Sequence, residues 1–356
     1  MDIKYLIMVL TFIFSLTLSF FLLSLINKKI SNGNMNKKST FAFLTLYGIT
    51  AISLIILYFV LYDPYLLKYN FEFLDLFTAL TFSGLIFGTY SFKNIEKLAP
   101  FILALGCVAV TYFIPENYHI FDIEMPIYAE KILLGLGLFI FSLIYRYINT
   151  IDGILATQSG FIGIGVMGLS MILNIALLGA FGSIFLATSI ALLSFNKYPA
   201  KIEINTAMAT SSAFLLGWFL LKTGEETSLT CSLLLISFVI IEVTIAFLKR
   251  LTFMEKYKDI YNNGFCMRAS VRGLYPDSIR FAVSKVMALS VLLACFQTFS
   301  PNLYSVPLFG SFAVLWILYK MQEWEYYSQP LKELNKETLD SVKENFDEIK
   351  KYIKKD

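Results

Sequence analysis

Three polar interruptions in an otherwise apolar chain hold the residue types that do chemistry on charged ligands. In the segment Tyr147–Ile154 an amide, a carboxylate and a glycine stand together as Asn149, Asp152 and Gly153. They bring hydrogen bonding, negative charge and a permissive backbone to one point. Hydrocarbon satisfies none of these groups, so water or a ligand must. The segment Phe195–Thr206 carries Lys201, and Lys249–Arg280 carries Arg268. A lysine and an arginine there suit phosphate, and serve equally as charges retaining a loop on the cytoplasmic side. Asn149 and Asp152 either bind a polar ligand or, at Asp152, cap the helix that follows.

The chain that must position these loops is a membrane protein. Hydrophobic residues make up 57% of the 356 and charged residues only 15%, less charge than a soluble surface of this size carries. The mean hydropathy is +0.67. A bilayer helix needs about 20 apolar residues, and the sequence offers such a run about eleven times. A net charge of +3, with no basic helix and no zinc-type spacing, excludes nucleic acid as the partner. Cys107, Cys231, Cys266 and Cys295 are scattered, three of them in apolar runs. They read as small buried residues rather than a disulfide framework or metal site. The segment Tyr5–Ile26 has no small-residue cleavage pattern and reads as a retained first span.

The expected fold is all-α, with ten to eleven membrane helices over residues 1–321 and a charged tail over 322–356. Leu331, Leu334, Leu339, Val342, Phe346, Ile349 and Ile353 recur near helical spacing in that tail. An amphipathic cytoplasmic helix on the membrane or a protein partner fits, as does a solvated helix. Spans six and seven share Phe161–Leu193, with a hinge expected between Asn174 and Gly182. Basic residues follow the odd-numbered spans, at Lys28/Lys29, Lys93/Lys97, Arg146, Lys197/Lys201 and Lys249/Arg250. That pattern places the N-terminus outside and the C-terminus in the cytoplasm. Asp75 and Glu130 fall near outer span ends, where snorkelling to the interface explains them. Glu242 lies past mid-span, where an acid marks function by default.

In this order the features resemble a known family. Asn149-Thr150-Ile151-Asp152-Gly153 resembles the N-x-x-D-G loop of the polyprenyl-phosphate N-acetylhexosamine-1-phosphate transferases. Phe195-Asn196-Lys197-Tyr198-Pro199-Ala200-Lys201-Ile202 is similar to that family's F-N-x-x-P-A-K-I-F stretch, with Glu203 at the last position. Arg268, ahead of Gly273-Leu274, matches the arginine closing its H-x-H-H-R loop. The resemblance spans nearly the whole chain and implies transfer of a sugar 1-phosphate from a uridine diphosphate sugar to undecaprenyl phosphate. It implies magnesium as cofactor, the bacterial cytoplasmic membrane as location, and Asn149, Asp152, Gly153, Asn196, Lys201 and Arg268 as substrate-binding positions.

The departures carry as much meaning as the matches. The family's paired aspartates fall at Thr89 and Tyr90, its M-G-D carboxylate at Thr206, and its histidines at Gly264, Cys266 and Met267. Magnesium rests on a few hard anionic ligands and substrate phosphates, and here no metal ligand can be assigned. Glu203 is the nearby acid that could compensate, or a solvated carboxylate beside Lys201. The leading expectation is a catalytically impaired relative that keeps the lipid groove and part of the nucleotide-sugar pocket, in envelope polysaccharide assembly. Two alternatives stay open: an active transferase with rearranged ligands, and a transporter or flippase. The sidedness is directly testable in a chain whose four cysteines have been replaced. His119→Cys should react with an impermeant maleimide added outside, and Lys201→Cys should not; the reverse pattern would overturn this topology.

Overall fold

The computed structural model describes residues 3–30, 35–61, 73–92, 94–114, 126–149, 151–253, 265–271, 274–299 and 310. The protein is all-α, with no strand among the described residues. Its helices are α1 (Ile3–Lys29), α2 (Met35–Leu61), α3 (Phe73–Ser91), α4 (Ala99–Tyr112), α5 (Ile127–Ile148) and α6 (Ile154–Leu173). They continue with α7 (Ala176–Asn196), α8 (Thr206–Glu226), α9 (Leu229–Leu235), α10 (Ser237–Phe253), α11 (Phe265–Val271) and α12 (Pro276–Phe299). Five helices among the described residues are long and apolar enough to cross a membrane, or six if the bent pair α9–α10 is one span. This is a polytopic membrane protein. The expected last span and the charged tail lie outside the described residues, as does His119.

Helix α7 lies at the centre, packed against α6 and α1, while α8 joins α5 and α3. The α6–α7 contact is set by two glycines. A Cβ at Gly163 would stand 2.8 Å from the Gly182 carbonyl oxygen, and one at Gly182 2.9 Å from that of Gly163. In hydrocarbon, helices associate through such close packing of small residues, because burial away from water gives no drive between them. The expected hinge falls at Asn174, whose φ of 61° ends α6 in the left-handed region. Its amide donates to the Ser170 carbonyl, and α7 restarts two residues later.

The described structure corrects two readings of the sequence. Leu229–Leu248 reads as one continuous span, yet the helix breaks at Ile236 and turns by 66° between α9 and α10. Asp75 does not snorkel. It is 1% exposed, accepts a hydrogen bond from the Trp218 indole at 3.0 Å and pairs with the Lys222 ammonium at 2.6 Å. Lys222 also holds Glu225 at 2.9 Å. Glu130 is fully buried as well. An ion is costly in a low-dielectric interior unless paired, so α3 and α8 are held in one register by charges that satisfy each other. That cluster lies at the opposite end of α8 from Asn205. Removing one partner strands the rest: Asp75→Ala should destabilise the detergent-solubilised protein by roughly 3 kcal/mol. An unchanged melting temperature would show that the pairing carries no stability.

Candidate functional site

The ends of α1, α3, α5 and α7 meet the beginnings of α2, α6, α8 and α12 at one end of the bundle. Here the first two sequence motifs come into direct contact. Between α5 and α6 the chain turns through Gly153, at φ 84°. A side chain there would be strained by that backbone angle, and its Cβ would also meet Arg280 Nη1 at 3.0 Å and Leu193 Cδ1 at 3.1 Å. The Gly153 amide donates to Asn196 Oδ1 at 3.0 Å. Asn196 Nδ2 in turn donates to the Ile202 carbonyl at 2.8 Å. One buried amide side chain therefore ties the first loop to both limbs of the second.

Asp152 and Asn149 reinforce the same joint. Asp152 does not cap α6: Gly153 occupies that position and no side chain caps the helix. Instead Asp152 Oδ2 accepts from the Ala200 amide at 3.0 Å. Asn149 Nδ2 donates to the Ile204 carbonyl at 2.6 Å. The second loop is drawn tight by its own backbone, with the amides of Lys201 and Ile202 both donating to the Phe195 carbonyl. It contains a cis Tyr198–Pro199 bond. Asn205 then caps α8, its side chain accepting from the Met208 amide at 2.8 Å. This is the ordinary service of an asparagine at a helix start.

The remaining positions surround this joint unequally. Lys201 and Glu203 are exposed beside it, and Thr206 opens α8 as an exposed residue. The Thr89 hydroxyl turns back onto its own helix, donating to the Leu85 and Ile86 carbonyls. Tyr90 has the Arg146 guanidinium within hydrogen-bonding reach, which joins the end of α3 to the end of α5 just ahead of Asn149. Arg268 lies on the short helix α11, whose Cys266 amide donates to Glu242 Oε1 at 3.2 Å. That bond gives the mid-span acid a local backbone partner. Gly264 is outside the described residues. No three His, Cys, Asp or Glu side chains gather into a metal-holding group among the described residues.

Two site residues escaped the reading of the sequence. Arg280, at the start of the second turn of α12, lies over Gly153 and pairs with Asp277 at 3.0 Å. Tyr275 brings the same segment onto the second loop, its ring meeting that of Tyr198 edge-on at 5.7 Å. The third polar segment thus reaches the joint through Tyr275 and Arg280. In sequence Arg280 is one more cation beside a span, and nothing local distinguishes it. No protein-family model and no curated protein matches this chain.

The joint gives a sharp mutational expectation. Asn196→Ala leaves the Gly153 amide and the Ile202 carbonyl, both buried, without this partner. Each orphan costs about 1–3 kcal/mol, so a loss of roughly 3 kcal/mol is expected. Lys201→Ala, with its side chain in solvent, should leave the melting temperature nearly unchanged. Equal melting of the two variants would show that the clamp holds nothing.

Proposed function

We propose that this chain is a catalytically impaired relative of the polyprenyl-phosphate N-acetylhexosamine-1-phosphate transferases. In this reading it spans the bacterial cytoplasmic membrane ten to eleven times, with its N-terminus outside and its joint in the cytoplasm. It binds undecaprenyl phosphate, and with it part of a uridine diphosphate sugar, as a lipid-handling subunit in envelope polysaccharide assembly. The charged tail is its contact with a protein partner.

One observation supports this reading above the others: the two motif segments that carry the resemblance touch each other, Asp152 to Ala200 and Gly153 to Asn196. The same contacts support the loss of catalysis. The Asp152 carboxylate is engaged by a loop amide, and Asn149 and Asn196 spend their amides on backbone carbonyls. Where the resemblance would require acids, this chain has hydroxyls at Thr89 and Thr206. Phosphoryl transfer depends on metal and donors neutralising charge at phosphorus, and losing even one such donor costs a factor of about 10² to 10³. Exposed cations at Lys197 and Lys201 remain suited to a lipid phosphate.

A rival reading, a transporter or flippase, draws support from the 66° break between α9 and α10, since broken helices mark binding sites in transporters. The two separate in purified protein. With magnesium, undecaprenyl phosphate and uridine diphosphate N-acetylhexosamines, uridine monophosphate release should stay at background while undecaprenyl phosphate still binds. Turnover abolished by Asp152→Ala or Glu203→Ala would overturn the impairment and establish rearranged ligands. Movement of a fluorescent polyprenyl phosphate across proteoliposome membranes would favour the flippase.

A further inference from the structure

At the end of the bundle remote from the joint, α4 stops early. Its 14 residues rise about 21 Å, against a hydrocarbon core about 30 Å thick. Helix α5, with 22 residues, continues past it. Where α4 ends, a groove of about 470 Å³ opens between the two helices. Its floor is Cys107, Thr111 and Gly135, and its walls are Val108, Ile132 and Leu136. Gly135 makes the floor close: a Cβ there would already touch Thr111 Oγ1 at 3.4 Å. Val108 and Ile132 are 66% and 70% exposed along the walls, so this apolar cleft faces the surrounding lipid.

The mouth of the groove has a different chemistry. Lys131 Nζ donates to the Tyr112 carbonyl at the end of α4, at 3.0 Å, and stands 5.6 Å from the centre of the Tyr112 ring. That bond uses one of the three donors of an ammonium. Tyr112 and Tyr128 line the same mouth and are mostly exposed. A lysine held at the end of a short helix, between two tyrosines, has the composition of a membrane interface, where aromatic rings and snorkelled lysines gather beside lipid phosphates. An apolar slot below a fixed cation has the complementarity of an anionic phospholipid: chain in the slot, phosphate on the ammonium.

We propose that the α4–α5 groove is a binding site for one anionic phospholipid, its acyl chain between Val108, Ile132 and Leu136 and its phosphate on Lys131. The bound lipid fills the space that the short helix leaves against α5. The site is separate from the joint and does not depend on the reading of that joint. In sequence, Glu116, Asp122 and Glu124 lie between α4 and α5, outside the described residues, and a carboxylate among them is the alternative to a lipid phosphate that the test separates.

The test is lipid retention by the full-length protein, reconstituted in vesicles of equal parts phosphatidylglycerol and phosphatidylcholine, extracted in mild detergent and weighed by native mass spectrometry. One phosphatidylglycerol per chain should survive extraction in preference to phosphatidylcholine. Lys131→Gln should reduce that preference about fivefold, the effect of one lysine at a membrane surface. Val108→Trp, which fills the slot, should remove both lipids from the site. Melting temperatures of the variants separate lost binding from lost folding. Three outcomes would overturn the proposal: equal retention of both lipids by the native chain, unchanged retention in Lys131→Gln because the loop carboxylates hold that ammonium, or a dimer mass showing a second copy on this face.

Discussion

Asn196 carries the constraint on which this end of the bundle rests. Its side chain accepts from the Gly153 amide and donates to the Ile202 carbonyl, and the residue is 1% exposed. Helices α6 and α7 already pack tightly through Gly163 and Gly182, but glycine packing leaves their ends without direction. The clamp supplies it. By holding Gly153 against the second loop it fixes where α6 begins, and by holding Ile202 it fixes the approach to Asn205 and α8. A buried amide that meets donor and acceptor together loses nothing to desolvation, whereas the same amide with one partner missing is a liability. The arrangement is therefore all or none, and it explains why Asp152 and Asn149 also point into the loop rather than out of it.

The opposite end of the bundle uses charge where this end uses amides. Asp75, Lys222, Glu225 and the Trp218 indole form a buried cluster between α3 and α8. With hydrocarbon on its outside, the bundle gains little specificity from burial alone, because most surfaces are equally apolar. Polar contacts that cannot be exchanged for lipid contacts supply the register. The two ends together set the length, tilt and rotation of α8, the helix that joins α5 to α3.

Much of this was legible from residue order. Alternation of long apolar runs with charged breaks gave an all-α membrane protein, and the helix end at Asn174 fell within the anticipated hinge. The meeting of Asn149–Gly153 with Phe195–Ile202 was legible because the two polar breaks fall on the same side of an alternating series of apolar runs. Their mode of partnership was not: a carboxylate accepting from a backbone amide forty-eight residues away leaves no trace in spacing. Asp75 was misread for a related reason. Its partner Lys222 lies at the far end of another helix, and an isolated acid near a span end looks identical whether it snorkels or pairs. The break at Ile236 was hidden because both halves of the run are apolar and no proline or glycine marks it. Arg280 was overlooked because one cation beside a membrane span resembles the next.

The central claim is that the acid of the first motif is structural, spending its charge on the second loop. Amide hydrogen exchange at single-residue resolution, in detergent or nanodisc, measures this directly. The Ala200 and Gly153 amides should exchange slowly in the native protein. Asp152→Ala should release Ala200 while leaving Gly153 protected, and Asn196→Ala should release Gly153. Rapid exchange at Ala200 in the unaltered chain would contradict the account, because it would mean that Asp152 is free to hold a metal or a substrate.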